Sequence, residues 1–339
     1  MSHSQAERNS LRVMGLAGFA SMASMRMCDP MLVVLGQEFQ VTTGEASRVV
    51  SVFAVSYGLS QLVYGPLGDR FGKLRVIFLA VMACAVFSAL TSRVADFEWL
   101  VLLRGCMGAA AAGIIPLSMA WIGDQVAYDR RQETLAKLMG YTVSGMMVGL
   151  WFGGFAAEHL GWRTALAVVS GVFAVAAFLL WRKLQHKAQQ TAQQTAQQTA
   201  QQTAQNTAQN TAQNTALEPP VADAPAFSMA AYVANTWAML RLPRVRQVLA
   251  VTAIEGALVF GAMSFVPTHL HQQFGLSVLV AGSVMMLYGV GGLLYSQMAR
   301  RWLTWLGGER GLVRTGAASI VLGMLLLAWA HQPILGMLA

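Results

Sequence analysis

Charge is what this chain has least of. Only 11% of its 339 residues are Asp, Glu, Lys or Arg, where a soluble domain carries about 25%. A chain so poor in charge cannot cover a folded surface with side chains that water solvates, which excludes an ordinary soluble globular protein. Cysteine is scarce as well. Cys28, Cys84 and Cys106 each lie in an apolar run without paired spacing, so neither a disulfide framework nor a cysteine metal site is expected, and the three read as small packing residues. Acidic residues number 15 against 23 basic ones, a net charge of +8. The cations sit in short segments beside apolar stretches rather than in one patch, which argues against nucleic acid as a partner. No short apolar segment with a small-residue cleavage site follows Arg8 and Arg12, so the first apolar stretch reads as an uncleaved anchor. Neither enzyme activity, a cofactor nor a bound metal is expected from these residues.

What the chain has instead is apolar length. It is 55% hydrophobic, with a mean hydropathy of +0.50. A helix needs about 20 mostly apolar residues to cross a bilayer. By that measure the sequence predicts an all-α membrane protein with nine spans: Val13–Leu35, Val49–Leu67, Val76–Leu90, Trp99–Ile122, Leu138–Ala157, Ala165–Trp181, Val248–Leu270, Val278–Met298 and Leu312–Trp329. His331–Ala339 could begin a tenth. Placing the amino terminus inside puts 18 of the 23 Lys and Arg residues on the inner side, three (Arg48, Arg93, Arg163) outside and two (Arg26, Arg104) within spans. Cations gather on the cytoplasmic side of membrane proteins, so this asymmetry sets the expected topology. The 32 glycines and 20 methionines suit helices that pack closely and adapt.

Between the second and third spans lies Gly65-Pro66-Leu67-Gly68-Asp69-Arg70-Phe71-Gly72-Lys73-Leu74-Arg75. Gly65 and Gly68 are expected to let the helix end approach a neighbour, Gly72 to supply a left-handed turn, and Arg70, Lys73 and Arg75 to hold the loop inside. This G-x-x-x-D-R-x-G-K-x-R pattern resembles the loop between spans two and three of the major facilitator superfamily of secondary transporters, with Leu74 splitting the usual basic pair. The resemblance implies six-span halves built from three-span repeats around a central cavity. It also implies that the loop latches the inner side shut, Asp69 pairing locally and facing the positive start of a helix in the second half.

On that basis residues 1–182 are an amino-terminal six-helix bundle, 183–247 a cytoplasmic linker and 248–339 an incomplete second bundle. The linker carries a four-residue repeat over 188–215, A-Q-Q-T four times and then A-Q-N-T three times. It contains neither charge nor a large apolar residue, and its period of four offers no stable face, so it reads as a flexible spacer. After Pro219-Pro220, Phe227–Leu242 with Arg241, Arg244 and Arg246 reads as a short helix lying on the inner membrane surface.

Ionisable groups inside spans are costly and mark function. Four stand out: Arg26 and Asp29 in span one, Arg104 in span four and Glu255 in span seven. Arg26 and Asp29 are three apart and share a helical face. Either they neutralise each other, or Asp29 gains and loses a proton under their influence, with Pro30 placing a kink beside them. Counting 1.5 Å per residue sets both Asp29 and Arg104 roughly 8–9 Å below the outer surface, so the two could meet. Arg104-Gly105-Cys106-Met107-Gly108 resembles a second superfamily motif whose Arg lies in the proton pathway; reaching up to the headgroups is the alternative. Glu255 has no motif and could face the cavity or a buried partner. Tyr57, Gln61 and Tyr141 could line a cavity or pack. His269 and His271, two apart, read as solvated.

Gly145, Gly149 and Gly153 line one face of span five, which packing alone explains. They also resemble the G-x-x-x-G-P-x-x-G-G motif of drug:proton antiporters, with Leu150 replacing its proline. The resemblance therefore implies a monomeric transporter of the bacterial inner membrane, its amino terminus and repeat linker cytoplasmic, exporting a small organic molecule in exchange for protons. Proton-coupled uptake is the nearest alternative. Because the sequence stops near the start of a tenth span, a truncated, transport-inactive protein is the second. A channel is disfavoured, since no repeated ring or filter sequence occurs.

Overall fold

In the computed structural model, residues 3–209 and 229–329 are described, and among them every regular element is a helix. The order is α1 His3–Arg26, α2 Leu32–Phe39, α3 Thr43–Ala46, α4 Arg48–Phe71, α5 Lys73–Thr91, α6 Phe97–Ala111, α7 Ile114–Gln125, α8 Tyr128–His159, α9 Trp162–Gln209, α10 Met229–Arg241, α11 Pro243–Phe274, α12 Val278–Trp305 and α13 Glu309–Trp329. Seven stretches among the described residues are long and apolar enough to cross a membrane, and Val278–Gly292 is a shorter apolar stretch. The chain is a multi-pass membrane protein. The possible tenth span, 331–339, lies outside the described residues.

Two expected spans are broken. The first stops at Arg26, turns through 27–31 and resumes as α2. Pro30 cannot donate a helical hydrogen bond, and its ring crowds the preceding turn. The fourth breaks at Ala112-Gly113, between α6 and α7. There the Tyr64 ring of α4 occupies the space where a Gly113 side chain would stand, and its hydroxyl donates to Ala110 O at 3.0 Å.

The repeat corrects an expectation. α9 runs without interruption from Trp162 through the repeat to Gln209, whereas a flexible spacer was expected. Alanine and glutamine are strong helix formers, and a helix that leaves a packed span needs no amphipathic face to propagate, because nucleation is already complete. Residues 210–215 lie outside the described residues. The helix expected over 227–242 is found as α10.

The main core belongs to α1–α9, with Met14, Phe53, Ile77, Leu100, Met107, Ile114 and Phe173 fully or almost fully buried. Helix α8 packs on both α1 and α12. On one face, a Cβ at Gly145, Gly149 or Gly153 would fall on the backbone carbonyls of Phe19 and Ala23 of α1 and of Met27 just beyond it. The two helices run parallel, with main chains in contact at three successive turns, close enough for Cα–H···O contacts. On another face of α8, Gly154 meets the backbone of Val278 and Leu279, while Gly282 of α12 meets Leu150 O, so α12 runs antiparallel to α8. Leu150, Met263 and Met285 form a small second core where α8, α11 and α12 meet.

The two ends of the bundle are fastened differently. At the end bearing Glu38, Trp162 donates from Nε1 to Glu38 Oε2 at 2.5 Å, Arg163 pairs with Glu38 Oε1, and Arg163 Nη2 donates to Val94 O at 2.9 Å. This clasp ties α2, the α5–α6 loop and the start of α9. Partial burial pushes the Glu38 carboxyl up, but the Trp162 and Arg163 donors outweigh it and hold the group below its ordinary value. A carboxylate with a lowered folded pKa stabilises fully above the unfolded value, and that contribution is lost as pH falls through the folded value, which lies below the ordinary range of a glutamate carboxyl. The unfolding temperature of the solubilised chain should therefore drop on acidification through that range. Glu38→Gln should lower it at neutral pH and remove part of the acid-induced drop; an unchanged acid profile would show that the clasp contributes nothing.

Candidate functional site

The break after α1 creates the site. Because the helix ends at Arg26, Asp29 sits in a tight turn, its amide donating to Arg26 O at 3.2 Å, and not on a continuous helical face. The pair expected from their spacing still forms: Arg26 Nη1 to Asp29 Oδ2 is 2.9 Å. Both are buried, Arg26 at 4% exposure and Asp29 at 0%. The same Nη1 also donates to Ser264 Oγ of α11 at 3.2 Å, and the guanidinium carbon stands 5.0 Å from the centre of the Phe260 ring. Arg26 thus joins α1 to α11 through one cation.

Arg104, on α6, is fully buried. Its Nε donates to Val49 O at 3.4 Å, its Nη1 to Ser24 O at 3.1 Å and Ser24 Oγ at 3.3 Å, and its guanidinium carbon lies 4.3 Å from the Phe53 ring centre. It does not reach to the headgroups. None of these hydrogen bonds goes to Asp29. Two polar atoms here have no partner, Asp29 Oδ1 and Arg104 Nη2. A buried orphan costs about 1–3 kcal/mol, more where charged, so each is a position that a water or a bound molecule would satisfy.

Glu255 does not join this cluster. It is exposed on α11, more than two turns before Ser264. Tyr57 and Phe53 stack with ring centres 6.2 Å apart, and Tyr141 covers Gly15, so both tyrosines pack. An apolar recess of about 450 Å³ lined by Ser60, Tyr64, Leu67, Phe87, Cys106 and Ala110 contains none of the four ionisable residues. Among the described residues no group of three or more His, Cys, Asp or Glu side chains could hold a metal.

At the opposite end, Gly72 adopts φ +87° between α4 and α5, a conformation glycine takes without strain. Gly68 lies under Leu117, so a side chain there would clash, but Gly65 faces open space, which corrects the expectation that both glycines permit close packing. Lys73 is the hub of the loop. It pairs with Asp124 at the end of α7 and stands 3.7 Å from Asp69, whose side chain is 63% exposed. Arg70 lies over the Phe71 ring at 5.2 Å, and Arg75 is exposed. Asp124 was not singled out in the sequence. Its place in Gly123-Asp124-Gln125, at the same end of the bundle as Lys73, was the available signal.

Comparison with known proteins decides the family. The family model described as Major Facilitator Superfamily matches residues 14–339. The chain belongs to the major facilitator superfamily. This facilitator is 27% identical over 172 residues to the uncharacterized MFS-type transporter YybF of Bacillus subtilis, covering 50% of this chain and 42% of that protein. It is 28% identical over 176 residues to the multi-drug resistance efflux pump PmrA of Streptococcus pneumoniae, covering 51% of this chain and 44% of the pump. The chain thus spans less than half the length of these curated relatives. Among solved structures, a D-xylose-proton symporter superposes over 99% of this chain and 78% of its own at a TM-score of 0.56 and 15% identity. A peptide transporter, POT, in complex with sulfate superposes over 100% and 82% at 0.63 and 11% identity. At such identities these likenesses speak for the fold alone.

Proposed function

We propose that this facilitator, or the longer protein of which it is part, moves a small organic molecule across the bacterial plasma membrane by alternating access, and that the movement is coupled to protons. The observation that carries the reading is the buried Arg26–Asp29 pair. A carboxylate fully removed from water, balanced by Arg26 and within the field of Arg104, exchanges a proton when its surroundings change. It sits where α1 meets α11, the seam that must alter if the two parts of the chain rock against each other. Export is the favoured direction, supported by the likeness to PmrA and by the glycine face of α8.

In this reading the Glu38 end lies outside and the Asp69 end, with α10 and the repeat, inside; the transporter works as a monomer. The Lys73 hub acts as an inner fastening, made in one state and loosened in the other, which is the differential energy that switching requires. Asp69→Asn should lower turnover by up to about 5-fold and leave substrate affinity within about 2-fold, because an exposed partner contributes up to about 1 kcal/mol to one state only. Unchanged turnover would count against the fastening.

The deciding experiment places the purified chain in lipid vesicles with a substrate panel of cationic dyes, sugars and small peptides, with and without a pH gradient. Accumulation that follows the gradient and collapses with a protonophore is the expected result. The direction of movement relative to the proton flow separates export from uptake. Absence of any gradient-driven movement would favour the transport-inactive alternative.

A further inference from the structure

We propose that Ser264 is the positioning residue through which α11 senses the charge on Asp29, an inference that rests on the proton-coupled reading above. Ser264 is 7% exposed. Its oxygen accepts from Arg26 Nη1 at 3.2 Å, and its single hydroxyl proton is donated to Phe260 O at 3.0 Å, one turn back on the same helix. Arg26 Nη1 therefore lies between two oxygens, Asp29 Oδ2 at 2.9 Å on the α1 turn and Ser264 Oγ at 3.2 Å on α11.

How firmly Arg26 is held there follows the charge on Asp29. An ionised carboxylate holds Arg26 between two acceptors, one on the α1 turn and one on α11, with Ser264 fixing the guanidinium beside the carboxylate. That arrangement clamps the seam. When Asp29 takes up a proton from water, its half of the clamp is lost. Arg26 loses its counter-ion, and a buried cation without one draws in water. The clamp loosens. The charged or titratable groups around this site are Arg26 on α1, Cys28 in the turn and Arg104 on α6; α8 brings Gly153 against Met27 there.

The test reads the seam directly and needs no substrate. The full chain, with its three cysteines replaced, carries spin labels at Ala95 and Gln273, exposed positions beyond α5 and at the end of α11. In lipid nanodiscs the distance between the labels is followed against pH. The parent should show a wider distance growing in as pH falls, with one midpoint. In Ser264→Ala that midpoint should move to higher pH by about one unit, the effect of losing a hydrogen bond to a charged group. Ser264→Thr, which keeps the hydroxyl, should restore it. If Ser264→Ala leaves the midpoint in place, or if alanine and threonine shift it alike, the sensing role is wrong. If the parent shows no pH response, or Asp29→Asn leaves the response intact, the proton-coupled reading itself fails.

Discussion

Gly149→Leu is expected to destroy the folded bundle. The Cβ alone would stand 2.5 Å from Ala23 O and 2.7 Å from Ala23 Cα, so the obstacle is main chain that cannot rotate aside. Ordinary overpacking costs about 1–3 kcal/mol. Here α1 and α8 must separate along three turns, which should exceed about 4 kcal/mol, a large share of a total stability of about 5–15. The measurement is the yield of monodisperse protein and its unfolding temperature. Gly171→Leu is the control, because Gly171 on α9 has open space where its side chain would go and should change the unfolding temperature little. If the two variants behave alike, the main-chain contact is not what holds α8 in place.

Asp29→Asn is expected to reduce proton-driven transport to background while the protein still inserts in the membrane. The amide has the shape of the carboxyl but does not exchange a proton near neutral pH. It also leaves Arg26 buried without its counter-ion, and removing one partner of a buried pair costs about 3–5 kcal/mol. Loss of transport could then reflect lost stability, and the double variant Arg26→Gln, Asp29→Asn separates the two. It removes both charges, so stability should recover most of the loss, whereas transport should not return. Proton entry is followed by a pH-sensitive dye in the vesicle lumen. Gradient-driven movement at the parent rate in Asp29→Asn would remove the carboxyl from the mechanism.

What the sequence revealed and what it hid follow from where the determining contacts lie. The Gly72 turn was legible because its cause is local: a glycine between two apolar runs, flanked by charge. The Arg26–Asp29 pair was legible because three residues separate its members. Arg104 could be recognised as a buried cation, but its partners could not. Two of them are backbone carbonyls, of Ser24 and Val49, and any residue type offers a carbonyl. Ser264 and Phe260 were invisible for a related reason. A serine and a phenylalanine in an apolar helix carry no pattern. Lys73 was expected in a latch, but its pairing with Asp124 bridges 51 positions. The repeat was misread because the lack of an apolar face was weighed above the helix propensity of alanine and glutamine.

The length of α9 has a consequence for how far this protein reaches beyond the membrane. Of its 48 residues, those from Arg182 onward lie past the apolar stretch. At 1.5 Å per residue they extend about 40 Å from the membrane surface, more than the bilayer's own hydrocarbon thickness. Adding or deleting one four-residue unit would lengthen or shorten this rod by about 6 Å and turn its tip by about 40°. Sequences that differ only in repeat number would thus present whatever follows the rod at a different height and heading, while every contact among the membrane helices stays the same.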